Sequence, residues 1–223
     1  MLFDVNFLWR LFPTIIEYSG VTLKISLFSF IFSMVIAIAI AVALAMEIPF
    51  LSPFLRVWVQ VFRGTPLITQ MFFIYFGLAQ VIPFLRNMSG IAVAIMVLSF
   101  NSSAHMSESL RGAIHAIDKG QYEAGLAIGM SKYQTMQTVI LPQALRDAIP
   151  ALGNSVVEII KGSAMAFTIG VKELMGAAQL EGATNYRYLE TFTAVMIAYF
   201  VITSLFNKLQ IKLEKSLTRR LGY

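Results

Sequence analysis

Apolar positions in this chain come in long runs rather than in strand-like alternation or narrow helical stripes. A membrane-spanning helix needs about 20 mostly apolar residues. Residues 21–46 meet that, with Lys24 near the start, where its stem lets the ammonium reach the interface. Pro49 and Pro53 then predict a break. A short second span follows "FRGTP" over about residues 67–82, and a third covers about 90–114. A fourth, about 146–171, is weak by hydropathy because Asn154, Glu158 and Lys161 lie inside it; a fifth covers about 189–206. Residues 1–20 carry Asp4 and Glu17 and lack a basic start and a small-residue cleavage site. They read as an amphipathic lead-in, with Trp9 and Phe12 at the interface, rather than as a removable signal peptide. The pattern predicts an all-α membrane protein of about five transmembrane helices, with no low-complexity tract and no usable internal repeat.

The stretch between spans three and four, "QYEAGLAIGMSKYQTMQTVILPQALRDAIP", breaks the pattern. Residues 121–128 predict a short helix, with Gly129 as a left-handed C-cap. Ser131 and Gln134 match a capping box for a second helix. Pro142 predicts its end near Leu141. Tyr133, Met136 and Ile140 would form its apolar face. Gly125 and Gly129, four apart, would clear one face for close backbone approach. The expectation is an ordered helix-turn-helix against which something docks.

Composition supports the bilayer as solvent: 57% of the 223 residues are hydrophobic and 13% charged, against about 25% charged in soluble domains. The net charge of +5 could suggest nucleic acid. However, Lys208, Lys212, Lys215, Arg219 and Arg220 directly follow the last apolar run, a positive-inside pattern. With five spans, that places the C-terminus in the cytoplasm, the N-terminus outside, and the helix-turn-helix inside with Arg111, Lys119, Lys132 and Arg146. The outer loop with Lys172, Glu173, Glu181 and Arg187 decides little. With no cysteine and only His105 and His115, neither disulfides nor a metal centre is expected. There is no phosphate-binding G-x-x-x-x-G-K-[ST] and no nucleophile–base constellation, so the chain is not expected to be an enzyme.

Glu123-Ala124-Gly125, three residues, Gly129, nine residues and Val139-Ile140-Leu141-Pro142 resemble the signature of the permease subunits of type I ABC importers. The family form is Glu-Ala-Ala, three residues, Gly, nine residues, Ile-x-Leu-Pro; here Gly125 and Val139 depart from it. "FRGTPLITQMFF", "ESLRGAI" and "IGVKELMGAAQ" extend the resemblance to the polar amino-acid uptake branch, over about residues 20–206. The resemblance implies a single transmembrane domain over 1–223, with a core at about 20–210 and a cytoplasmic coupling segment at about 118–145. It implies that Glu123, Ala124, Gly125 and Ala127, with Gly129, Met130 and Ser131, couple to a cytoplasmic ATPase dimer. ATP and Mg would sit on that ATPase, and this chain would hold no cofactor. A second permease subunit, identical or closely related, and an extracytoplasmic amino-acid-binding protein would complete an inner-membrane importer surrounded by lipid, with no nucleic acid.

Polar groups inside spans usually face a bundle interior or a path. Asn101, His105 and Glu108 share one helical face, with Ser102 and Ser103 beside it; Asn154, Glu158 and Lys161 repeat the spacing. The candidate substrate path comprises Gln70, Asn101, His105, Asn154, Glu158, Lys161 and Ser163. Glu158 and Lys161, like Glu108 and Arg111, are i, i+3 neighbours, so pairing within the chain is the rival reading. Where relatives often read Lys-Asp-Thr-Ser-Leu, this chain reads Lys161-Gly162-Ser163-Ala164-Met165. Gly162 removes an acidic charge and would leave space, which points away from arginine or lysine as cargo. Two other classes compete: an ion-gradient-driven transporter, with the intramembrane charges as ion sites, and a non-transporting scaffold that recruits an ATPase.

Overall fold

The computed structural model describes residues 3–220 and contains helices and connecting turns, with no strand among the described residues. The elements are α1 (Val5–Ala45), α2 (Leu51–Gly64), α3 (Leu67–Val81), α4 (Pro83–Arg86), α5 (Gly90–Ala116) and α6 (Lys119–Ala127). They continue with α7 (Lys132–Thr135, then a π turn at Met136–Ile140 and Leu141–Asp147), α8 (Ile149–Gly162), α9 (Leu174–Asn185) and α10 (Tyr188–Arg220). A 3₁₀ stretch, Ser163–Ile169, extends α8. Three helices, α1, α5 and α10, are long and apolar enough to cross a membrane; α3 is a shorter apolar helix.

Three local expectations change. The lead-in and the first span are one helix of 41 residues, with Pro13 inside it. Only one backbone hydrogen bond is lost at a proline, and the long apolar run carries the helix past it. Residues 51–64, which follow the break predicted at Pro49 and Pro53, form α2, in which Pro53 lies in the first turn, where a missing N–H costs nothing. The helix expected to stop near Leu141 runs on to Asp147. There the Leu141 N–H donates to the Met136 carbonyl, widening the turn so that the Pro142 ring clears the preceding backbone.

The chain forms two compact units from interleaved segments. One comprises the chain up to Ser29, Leu67–Leu98, and Val156 onward. Ile25, Met71, Ile74, Val97 and Ile169 form one part of its core, and Leu11, Ile15, Leu174 and Val195 another. Its polar centre is Glu173, a residue that hydropathy left without a role. Its carboxylate caps α9 by accepting from the Gly176 N–H (2.8 Å) and also accepts from the hydroxyls of Thr22 and Tyr199, each at 3.1 Å. Thr22 in turn accepts the Leu174 N–H at 3.1 Å. Burial pushes the Glu173 carboxyl above the usual range, against the opposing pull of these donors. α1, α9 and α10 therefore meet on one fully buried side chain.

The other unit comprises Phe30–Pro66 and Ser99–Ser155. Met106, Leu110, Ile114, Met136, Ile140 and Leu152 fill its larger core. α2 has three faces. Leu55, Trp58, Val59 and Phe62 pack within the unit. Phe54, Val57 and Val61 are exposed, as expected where lipid is the solvent. Arg56, Gln60 and Arg63 form the third face, at i, i+4 and i+7.

Candidate functional site

The turn between α6 and α7 forms as its sequence dictates. Gly129 is left-handed at φ +85°, the Gly129 N–H donates to the Leu126 carbonyl (3.0 Å) and the Met130 N–H to the Gly125 carbonyl (3.1 Å). This is a Schellman motif, which satisfies two helix-end carbonyls. Ser131 and Gln134 form the reciprocal capping box. Asp118, which the sequence reading passed over, is the N-cap of α6 and accepts the Gly120 N–H at 2.6 Å. An aspartate directly before a helical run was the available signal.

The two glycines do not share an open face. Gly125 is buried, and a Cβ there would lie 2.6 Å from Thr135 Cγ2 and 2.8 Å from Thr135 Oγ1. Thr135 is held in turn by donating to the Ser131 carbonyl. Close approach at Gly125 thus locks α6 to α7, while Gly129 supplies the turn. Met136 and Ile140 are buried as expected, but Tyr133 is exposed. The outward side presents Glu123, Ala124, Ala127 and Ile128, the last 80% exposed. Met130 and Ser131 continue the turn behind them.

Two cavities lie in this unit. One of about 410 Å³ is lined by Met46, Tyr122, Glu123, Lys132 and Met136. The other, about 440 Å³, is lined by Arg56, Gln60, Arg63, Glu108 and Arg111. Ala45, Glu47 and His115 line both. None of the seven candidate path residues lines either cavity.

The path residues divide by what they touch. On α8, Asn154, Glu158 and Lys161 form one exposed row. Lys161 Nζ donates to Glu158 Oε1 at 2.6 Å, with the side chains 52% and 71% exposed. The pair forms, yet remains open at its outer edge. His105 is exposed and Gln70 is buried. Asn101 donates to the Phe62 carbonyl at 3.0 Å, satisfying one of the last carbonyls of α2. Ser163 is buried and donates to the Ile160 carbonyl at 2.8 Å. Glu108 pairs with Arg111 (2.8 Å) and with Arg63 (3.5 Å). Gly162 leaves no free space, because a Cβ there would meet Leu67 and Leu98 side chains at 3.2 Å each.

Long apolar helices with lipid-suited exposed faces, a short ordered connector and an exposed charged row inside an apolar chain define a multi-pass membrane transport component. Residues 34–221 match the family model described as "Binding-protein-dependent transport system inner membrane component", and the chain belongs to that family. It is 36% identical to the probable amino-acid ABC transporter permease protein PatM of Vibrio harveyi, over 98% of both chains. It is also 36% identical to the glutamine transport system permease protein GlnP of Escherichia coli (strain K12), over 96% of this chain and 98% of that one. The crystal structure of an amino acid ABC transporter with histidines superposes with a TM-score of 0.87 at 32% identity, covering 97% of this chain and 100% of the other. The MetNI methionine ABC transporter, inward facing, shares the fold, with a TM-score of 0.78 at 22% identity.

Proposed function

We propose that this chain is the permease subunit of an ATP-driven amino-acid importer, with α6 and the turn after it as the element that couples it to a cytoplasmic ATPase. The observation that carries this reading is the outward side of α6. Glu123, Ala124, Ala127 and Ile128 are exposed on a helix whose Gly125 fits against Thr135 and whose Tyr122 packs on the core that includes Met136 and Ile140. An exposed isoleucine beside a carboxylate, on a helix fixed by two caps, suits a groove on a partner protein. ATP and Mg belong to that partner, and an extracytoplasmic binding protein would deliver the amino acid. By the charge pattern, the C-terminus lies in the cytoplasm; the side chains of Arg219 and Arg220 lie outside the described residues. The relatives named for amino-acid transport support this cargo class, and nothing favours an ion gradient as the driving force.

Ile128→Asp is the cleanest test, because Ile128 has little internal packing to lose. Gly129→Asp would also disturb the left-handed turn. With the ATPase and binding protein in nanodiscs, wild type should hydrolyse ATP faster when its amino acid is present. Ile128→Asp should lower that stimulation by roughly tenfold, the effect of burying one unpaired charge in an apolar contact. Normal stimulation in a folded variant would remove α6 from the coupling role.

The exposed row Asn154, Glu158 and Lys161 is the candidate path, with Asn101 and Ser163 as supports of the backbone beside it. A zwitterionic cargo suits a row bearing both signs. Because Glu158 and Lys161 already pair, cargo would exchange partners with them rather than meet free charges. Glu158→Gln should raise the substrate concentration for half-maximal uptake by roughly tenfold while leaving assembly unchanged. Unaltered uptake and selectivity would exclude Glu158 from the path.

A further inference from the structure

The structure assigns a second amino-acid site to the 440 Å³ cavity lined by the polar face of α2, the end of α1 and the end of α5, with Arg56 as carboxylate holder and Glu47 as ammonium holder. It rests on the importer reading for the identity of its ligand and for the side of the membrane that it faces.

Most of the charge in this cavity is already satisfied. Glu108 holds both Arg63 and Arg111. Two charged groups remain without an ion-pair partner among the described residues, and they carry opposite signs: Glu47 and Arg56. Leu44, Ala45 and Val59 give the cavity an apolar wall between these polar ends. One uncommitted anion and one uncommitted cation over an apolar wall suit a small zwitterion. The volume falls in the range of about 300–1,000 Å³ that small-molecule sites occupy.

The backbone at Glu47 is a second, independent observation. α1 ends in a Schellman motif: the Glu47 N–H donates to the Leu44 carbonyl and the Ile48 N–H to the Ala43 carbonyl, each at 3.3 Å. Glu47 therefore occupies the left-handed position, at φ +51°, where glycine is the default residue. The same motif at the end of α6 uses Gly129. Glu47 thus lines the cavity from a left-handed position that glycine would take more cheaply, and, like Arg56 across from it, it is exposed and open to a ligand at the cavity mouth. The cavity shares Ala45, Glu47 and His115 with the one that Tyr122, Glu123 and Lys132 line. It thus lies beside α6, which on the importer reading is the cytoplasmic side, where imported amino acid is released. An amino acid bound there would brace the ends of α1, α2 and α5 beside the coupling segment, as a product-sensing site.

The test is equilibrium binding of a panel of radiolabelled amino acids to the permease–ATPase complex in nanodiscs, without binding protein. Competitors are the corresponding amino-acid amides and N-acetyl amino acids. Wild type should bind the free amino acids and reject both derivatives. Arg56→Gln should weaken binding by roughly tenfold and let the amide compete as well as the acid, because the lost interaction is with the carboxylate. Glu47→Gly relaxes the left-handed backbone, so it should fold at least as well as wild type and still lose the discrimination against N-acetylation. A wild type that binds no amino acid, or variants with unchanged affinity and derivative preference, would overturn the site. The importer reading is scored separately, by amino-acid stimulation of ATP hydrolysis once the binding protein is added.

Discussion

Gly125→Ala is expected to cut amino-acid-stimulated ATP hydrolysis by roughly tenfold, although it moves the chain toward the alanine of the permease signature it resembles. The added Cβ would stand 2.6 Å from Thr135 Cγ2, and Thr135 cannot swing away without giving up its bond to the Ser131 carbonyl. Inserting a methyl into such a contact costs about 1–3 kcal/mol. The strain falls on the segment whose geometry the coupling reading requires. Thr135→Ala combined with Gly125→Ala should recover most of the loss, since it removes the two nearest atoms and leaves the Thr135 Cβ at 3.2 Å. The double-mutant cycle separates this contact from any other effect of the two changes. A silent Gly125→Ala, or a double variant no better than the single, would show that the contact is soft and that the lock between α6 and α7 plays no part in coupling.

Glu173→Ala should destabilise the chain strongly. It removes the cap of α9 and takes from the Thr22 and Tyr199 hydroxyls the acceptor they share, leaving Thr22 with the Leu174 N–H and Tyr199 with weaker partners. Losing a cap costs about 1 kcal/mol, and each hydroxyl's lost bond to the carboxylate about 1 kcal/mol. The expected total is about 3 kcal/mol, or a fall of roughly 10 °C in the midpoint of thermal unfolding. Glu173→Gln keeps a carbonyl acceptor and should lose less. Fluorescence-detected size exclusion after heating in detergent reads both variants. A Glu173→Ala midpoint within about 2 °C of wild type would mean that the three helices are held by apolar packing alone.

The connector formed by α6 and α7 was legible in the sequence because its determinants are local. A left-handed glycine, a Ser–Gln capping box and a helical start need only neighbours within about one turn, and all three form. The membrane character was legible for the same reason, since hydropathy summed along 20 residues requires no knowledge of partners. The exit of α7 was misread because a π turn answers Pro142 with a widened backbone, a response the residues alone do not encode visibly.

What the sequence by itself determined was therefore the class of molecule, the apolar runs that build its long helices and the caps of its connector. Only the tertiary structure decided which polar residues are spent on folding and which remain available. Asn101 and Ser163 look like path residues by spacing, yet they serve backbone carbonyls. Glu173 sits in an unremarkable linker, yet it joins α9 and α10 to α1, whose Thr22 lies 151 residues away. Gly125 looks like a surface clearance, yet it fits against Thr135. The physical reason is that a polar group's role depends on whether its hydrogen-bonding capacity is met, and by what. Residues far along the chain set that, while periodicity sees only the residue's own helix.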